Sequence, residues 1–262
     1  MNALQVHVEG IGLWSPQLAN FDALRRLLAG QTLAEPSARP IASALSPNER
    51  RRAPESVLVA VEVASQATAM SGRAADSLAC VFASAYGDQA TTDYMCRVLA
   101  NIPTELSPTR FHNSVHNAAA GYWTIATGCR APSSAVCAGD TSFTAGLLEA
   151  AVLACADHRA VLLVSSDTAG VGPLGELIGC TRAFGCALVI SPSADAGKRL
   201  HLATTAAAPG HLPLPAECAA LMHDNPSAAC LPLLAMLADG KGECVLAAKE
   251  HLGLHLQIEV NA

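Results

Sequence analysis

The chain has 262 residues, a formal charge of −6 from 16 Lys and Arg against 22 Asp and Glu, and 51% hydrophobic but only 15% charged residues. So apolar a composition excludes an intrinsically disordered chain, and an acidic balance with Lys198, Lys241 and Lys249 as its lysines excludes nucleic acid as a partner, because no broad phosphate-tracking surface can form. No run reaches the roughly 18 uncharged apolar residues of a membrane span, and the opening MNALQVHVEGIGLW lacks the basic start of a secretory signal, which points to the cytoplasm.

In chain order, residues 5–12 alternate apolar and polar and run into Gly10-Ile11-Gly12, a strand leading to a turn. Residues 20–29 read as a helix stopped by Gly30, with Leu24, Leu27 and Leu28 on one face. A Pro/Ala/Ser loop (31–45) and a basic stretch, Arg50-Arg51-Arg52, precede a long helix over 54–70. Residues 77–84 form a buried strand, 89–100 a helix, 102–113 a loop and 117–127 an Ala-rich helix. A strand of small residues (133–138), a helix (141–157) and two apolar strands (160–166 and 183–191) complete an α/β pattern. Beyond it, 200–206 reads as a strand, 225–238 as a helix, and 242–248 with 252–260 as a terminal strand pair joined at Lys249-Glu250-His251.

Ten cysteines are present with no CxxC pair and no Cys/His cluster at zinc spacing. They read as small buried hydrophobes of a reducing compartment, and neither a metal nor a cofactor is expected. An apolar chain with few lysines and few aromatics also suggests a face hidden against a partner.

Four segments carry a resemblance: VHVEGIGLWSP, the Arg-rich entry to the second helix, FASAYGD, and the block over 106–167. In this order they resemble the N-terminal half of a β-ketoacyl-ACP synthase of the thiolase-like fold, over residues 4–191. Ser107-Pro108, Asn117, Gly121 and Thr124-Ile125 fall where that family has SP, N, G and TI. The resemblance implies an α/β, thiolase-like half, a βαβαβαββ-type core with a mainly parallel five-stranded sheet. It assigns 1–191 to a ketosynthase-like core and 192–262 to a shortened C-terminal portion packed on the same domain.

In the family the nucleophile is a Cys on a tight strand-to-helix turn, in a pattern like T-A-C-[TSA]-S-G. The matching stretch here is Ala138-Gly139-Asp140-Thr141-Ser142-Phe143, so Asp140 stands at the nucleophile position. Asp140 reads as the N-cap of the following helix, accepting from the N–H of Ser142 or Phe143, with shaping of an acyl-tunnel mouth as the alternative. Aligning Cys137 instead forces a three-residue insertion, so Cys137 reads as a packed strand residue, with a nucleophilic role as the alternative. The family's two catalytic histidine motifs, of THGTGT and NSFGFGG type, do not occur.

The sequence therefore looks most like the truncated, nucleophile-less chain-length factor of aryl polyene type II polyketide systems. This implies a non-enzymatic subunit that pairs with an active β-ketoacyl-ACP synthase, as a heterodimer or a dimer of heterodimers, and meets acyl carrier protein through that complex. Acyl-tunnel candidates are Tyr86, Thr91, Tyr94 and Asp140. Partner-interface candidates are Arg110, Phe111, His112, His116, Asn117, Val136 and Cys137. Arg110 stands where an aromatic gate is usual in the family, with Phe111 taking that place if the loop shifts by one. His112 and His116 have metal-pair spacing but no third ligand, so they read as polar interface contacts, and Asn117 as a helix cap. The alternatives are a malonyl-ACP decarboxylase and a Cys137-dependent acyltransferase.

Overall fold

The computed structural model describes residues 3–33, 39–193, 197–249 and 251–259. Residues 34–38 of the expected loop, Glu250 of the expected final turn and Val260 of the last expected strand lie outside them.

Among the described residues the strands are β1 (Leu4–Trp14), β2 (Ala79–Ala83), β3 (Ser133–Val136), β4 (Val161–Asp167), β5 (Phe184–Ser191), β6 (Lys198–Thr205), β7 (Gly242–Lys249) and β8 (Leu252–Ile258). They form one sheet in the order β3-β2-β4-β5-β1-β6-β8-β7. β2 pairs in parallel with β3 and β4, while β5 is antiparallel to both β4 and β1. Thus β1, β2, β3 and β4 run one way with β5 reversed among them, the mainly parallel five-stranded core that was expected. β6, β8 and β7 extend the same sheet by antiparallel pairing.

The helices are α1 (Phe21–Leu28), α2 (Pro47–Arg52), α3 (Glu55–Ser71), α4 (Gln89–Asn101), α5 (Pro108–His112), α6 (Ala118–Thr127), α7 (Ser142–Asp157), α8 (Gly172–Ile178), α9 (Ala216–Asp224) and α10 (Leu231–Asp239). They lie on both faces, so β4 and β5 are buried along their whole length and need apolar residues at every position. The period of two still shows in which core each residue enters. Val161 and Leu163 pack with Phe143, Leu147 and Ala151 of α7, whereas Leu162 and Val164 pack with Val57, Val61 and Ala64 of α3. Each fully buried Leu or Val contributes about 1.5–3 kcal/mol. β6 is covered less completely: Leu200 and Leu202 are buried while His201 between them is not.

Four expectations need correction. Gly10 and Gly12 do not end the first strand, which continues to Trp14. A Cβ on Gly10 would lie 2.0 Å from the Ala67 carbonyl oxygen, and one on Gly12 1.9 Å from that of Val63, so these glycines let α3 rest directly on the β1 backbone. The expected loop over 102–113 contains α5, which starts at Pro108 with Ser107 as its cap. The expected helix over 225–238 is a 3₁₀ turn at Pro226–Cys230 followed by α10, with Pro232 suited to a first helical turn because it has no N–H to leave unpaired. Helices α2, α8 and α9 were not expected.

Candidate functional site

Three chain segments meet where β2 and β3 end and α7 begins. The first is Ser84-Ala85-Tyr86-Gly87, which leaves β2 through a turn with Gly87 at φ +63°. The second leaves β3 through Cys137 and Ala138 into a 3₁₀ turn, Gly139–Thr141, at the head of α7. The third is Asp167, the last residue of β4.

Asp167 is 1% exposed and organises the first segment. Its Oδ1 accepts from Ser84 Oγ (2.7 Å), the Ala85 amide (2.9 Å) and the Tyr86 amide (3.2 Å). Its Oδ2 accepts from Ser227 Oγ at 2.7 Å, and Asn225 Nδ2 donates to the Asp167 carbonyl at 2.9 Å. Burial raises the Asp167 pKa, and the hydrogen bonds from Ser227, Ser84 and the backbone oppose that rise. The C-terminal portion thereby grips the loop that carries Tyr86. Sequence reading missed Asp167, Asn225 and Ser227; the available signal was one carboxylate ending the otherwise uncharged strand VLLVSSD.

With the loop so held, the Tyr86 hydroxyl donates to Asp140 Oδ1 at 2.9 Å. The phenol is pushed up to about 12, first by burial and then by the hydrogen bond and negative charge of Asp140. Asp140 is exposed and lies within the 3₁₀ turn. It is not the helix cap: Thr141 holds the N-cap position of α7, and no side chain caps it. The turn sends the carboxylate across to Tyr86 instead of back along the helix. Ser142 fastens the turn, its Oγ accepting from the Ala138 amide (2.9 Å) and donating to the Gly139 carbonyl (2.7 Å). Cys137 is not the packed strand residue that was expected: it is exposed, lies beyond the end of β3, and its Sγ donates to the Ala85 carbonyl at 3.3 Å.

The other tunnel candidates have different partners. Thr91 is 5% exposed and donates to Asp88 Oδ2 at 2.8 Å. Tyr94 accepts from the Ser107 amide at 3.0 Å and lies under the Arg110 guanidinium, 4.1 Å from the ring centroid, so Tyr94 and Arg110 shape the 105–110 segment together. Phe111 is 57% exposed. His112 meets the Tyr122 ring edge-on at 6.5 Å, whereas His116 Nε2 lies 3.1 Å from the Ser84 carbonyl. α5 ends between these histidines, which separates them. Asn117 occupies the N-cap position of α6 without a side-chain capping bond, a correction to the expected cap. Among the described residues no group of three or more His, Cys, Asp or Glu is placed to hold a metal ion. A groove of about 550 Å³ runs along α5 and α6, lined by Val115, Tyr122 and Ile125 together with Glu49 and Arg52. Val136 is half-buried on β3.

The sequence profile described as "Beta-ketoacyl synthase, N-terminal domain" matches residues 27–252. The chain belongs to the β-ketoacyl synthase family. No curated protein matches it. Among solved structures, a chain of the ketosynthase ApeO in complex with its chain length factor ApeC from Xenorhabdus doucetiae is 22% identical, with a TM-score of 0.71 over 97% of this chain and 99% of that one. The ishigamide ketosynthase/chain length factor follows at 14% identity and a TM-score of 0.73, covering 98% and 100%. The complex AntDE:AntF, a type II polyketide acyl-carrier protein with its ketosynthase bound to the hexaketide, gives 12% and 0.74, covering 99% and 100%. These likenesses establish a ketosynthase fold of the thiolase-like α/β class, shared over nearly the full length of both chains. Among the described residues no helix is long and apolar enough to cross a membrane.

Proposed function

We propose that this family member is a non-catalytic, chain-length-factor-like subunit acting in the cytoplasm. It pairs with an active β-ketoacyl-ACP synthase and bounds the acyl tunnel in polyketide, specifically aryl polyene, biosynthesis. The observation that carries the reading is the pair at the head of α7: a carboxylate, Asp140, hydrogen-bonded by Tyr86, where the family register expects the condensing thiol. A carboxylate is a weak nucleophile toward a thioester, and its charge opposes the enolate that decarboxylation needs. Cys137 lies before the turn at the head of α7, with its Sγ on the Ala85 carbonyl.

The sheet supports a choice of pairing surface. β3 is an edge strand, with Ser133, Ala135 and Cys137 exposed, and its small side chains permit another strand to approach. The opposite edge is protected: Gly210 and Val245 exchange backbone bonds of 3.0 and 2.8 Å across β7. In this reading the β3 edge with Val136 and Cys137, and the Arg110–Asn117 segment with Phe111, His112 and His116, face the ketosynthase. Tyr86, Asp140, Thr91 and Tyr94 set the tunnel wall. Acyl carrier protein reaches the chain through the complex.

The test is reconstitution with the partner ketosynthase, acyl carrier protein and malonyl extender. Condensation is expected only when both subunits are present. It should survive Cys137→Ala and Asp140→Asn in this chain, and Tyr86→Ala should lengthen the acyl products. Turnover by the isolated chain, or its loss in Cys137→Ala alone, contradicts the proposal.

A further inference from the structure

A strap lies over the first turns of α4. Residues 170–180 are closed at the base by the Gly170 amide, which donates to the Cys180 carbonyl at 2.8 Å. The base is anchored, because Cys180 is buried and its Sγ donates to the Thr168 carbonyl at 3.2 Å. Beyond that anchor no residue of α8 is buried.

The strap is amphipathic in the inverted sense. Val171, Leu174 and Leu177 point outward, with Leu177 82% exposed. The inner side is glycine against polar groups: a Cβ on Gly170 would lie 2.6 Å from Gln89 Oε1, and one on Gly172 2.2 Å from Asp93 Oδ1. Gln89 beneath it is 4% exposed, and neither its amide oxygen nor its nitrogen has a hydrogen-bond partner. Such an orphaned amide disfavours the closed arrangement, since water would satisfy both atoms on opening. Asp93 is already paired with Arg97 at 2.7 Å, so it adds little grip on the strap. Gly172 and Gly179 sit at φ +63° and +64°, backbone states that side chains other than glycine rarely adopt.

We propose that residues 170–179 are a hinged strap, opening about Gly170 and Gly179 to uncover the Gln89–Asp93 face of α4 while the sheet beneath stays folded. Opening hydrates the Gln89 amide. The inference does not depend on the pairing proposed above.

Hydrogen–deuterium exchange on the intact chain, resolved to residues 175–178, tests it. In the unmodified protein those amides are expected to exchange at least about 100-fold faster than the buried turns of α3. Gln89→Met and Gln89→Leu remove the orphaned amide at similar volume and should slow strap exchange by about tenfold. Gly172→Ala strains the closed position through its positive φ and its contact with Asp93 Oδ1, so the strap should lose protection while 55–71 and 161–167 keep theirs. Strap amides as protected as α3, no slowing in either Gln89 variant, or loss of protection throughout the chain in Gly172→Ala would each overturn the proposal.

Discussion

Asp167 is a buried carboxylate satisfied by neutral donors: two serine hydroxyls and two backbone amides. Replacing it with Asn puts an NH₂ where hydroxyls and amides already donate, so at least one donor is orphaned. Asp167→Asn is expected to cost about 2–3 kcal/mol in urea unfolding. The pH dependence has a definite sign. Burial raises the folded pKa, so over the window above the ordinary carboxylate value the native state binds more proton than the unfolded chain. The group's contribution is full below the unfolded pKa and is lost as pH rises through the folded one. The stability gap between the protein and Asp167→Asn should therefore narrow as pH rises across that window, and a gap that widens contradicts this assignment. None of this was legible in the sequence, because Asn225 and Ser227 reach Asp167 from 58 and 60 residues away. Asp140 was legible as the residue at the head of α7. Its bond to Tyr86 was not, since the direction of a side chain in a 3₁₀ turn depends on where the neighbouring loop is held.

At the scale of elements, the strands and the first helix were legible because their signals are local: continuous apolar runs for β4 and β5, and an apolar face with a glycine stop for α1. The helices that escaped notice are short, 5 to 9 residues each. α8 reads GPLGELI, with a proline, two glycines and no buried residue, and α9 follows a proline-rich segment. Gly10-Ile11-Gly12 misled because glycine serves two purposes: it makes turns, and it also admits a helix onto a strand. That second role gives a prediction. Gly12→Ala places a methyl group 1.9 Å from the Val63 carbonyl oxygen, and α3 cannot retreat without opening the core it shares with β4 and β5. A loss of about 3 kcal/mol or more in thermal or urea unfolding is expected. A change below about 1 kcal/mol would mean that α3 does not rest on β1 as described.

For the whole molecule, the sheet edges set the logic. β7 is closed off by Gly210, while β3 carries exposed small residues and no further strand among the described residues. The groove along α5 and α6 and the outward Phe111, Val115 and Ile125 give the surface apolar area that a monomer would be expected to cover. The α/β core was legible from the order of strands and helices. The continuation of its sheet through β6, β8 and β7 was not, because antiparallel pairing between β1 and β6 joins segments nearly 200 residues apart. The most direct test of the proposed role is native mass spectrometry of this chain co-expressed with the partner ketosynthase. The account predicts a 1:1 complex or its dimer, abolished by Ala135→Glu on the β3 edge. A chain that emerges as a stable monomer beside an unpaired ketosynthase would contradict it.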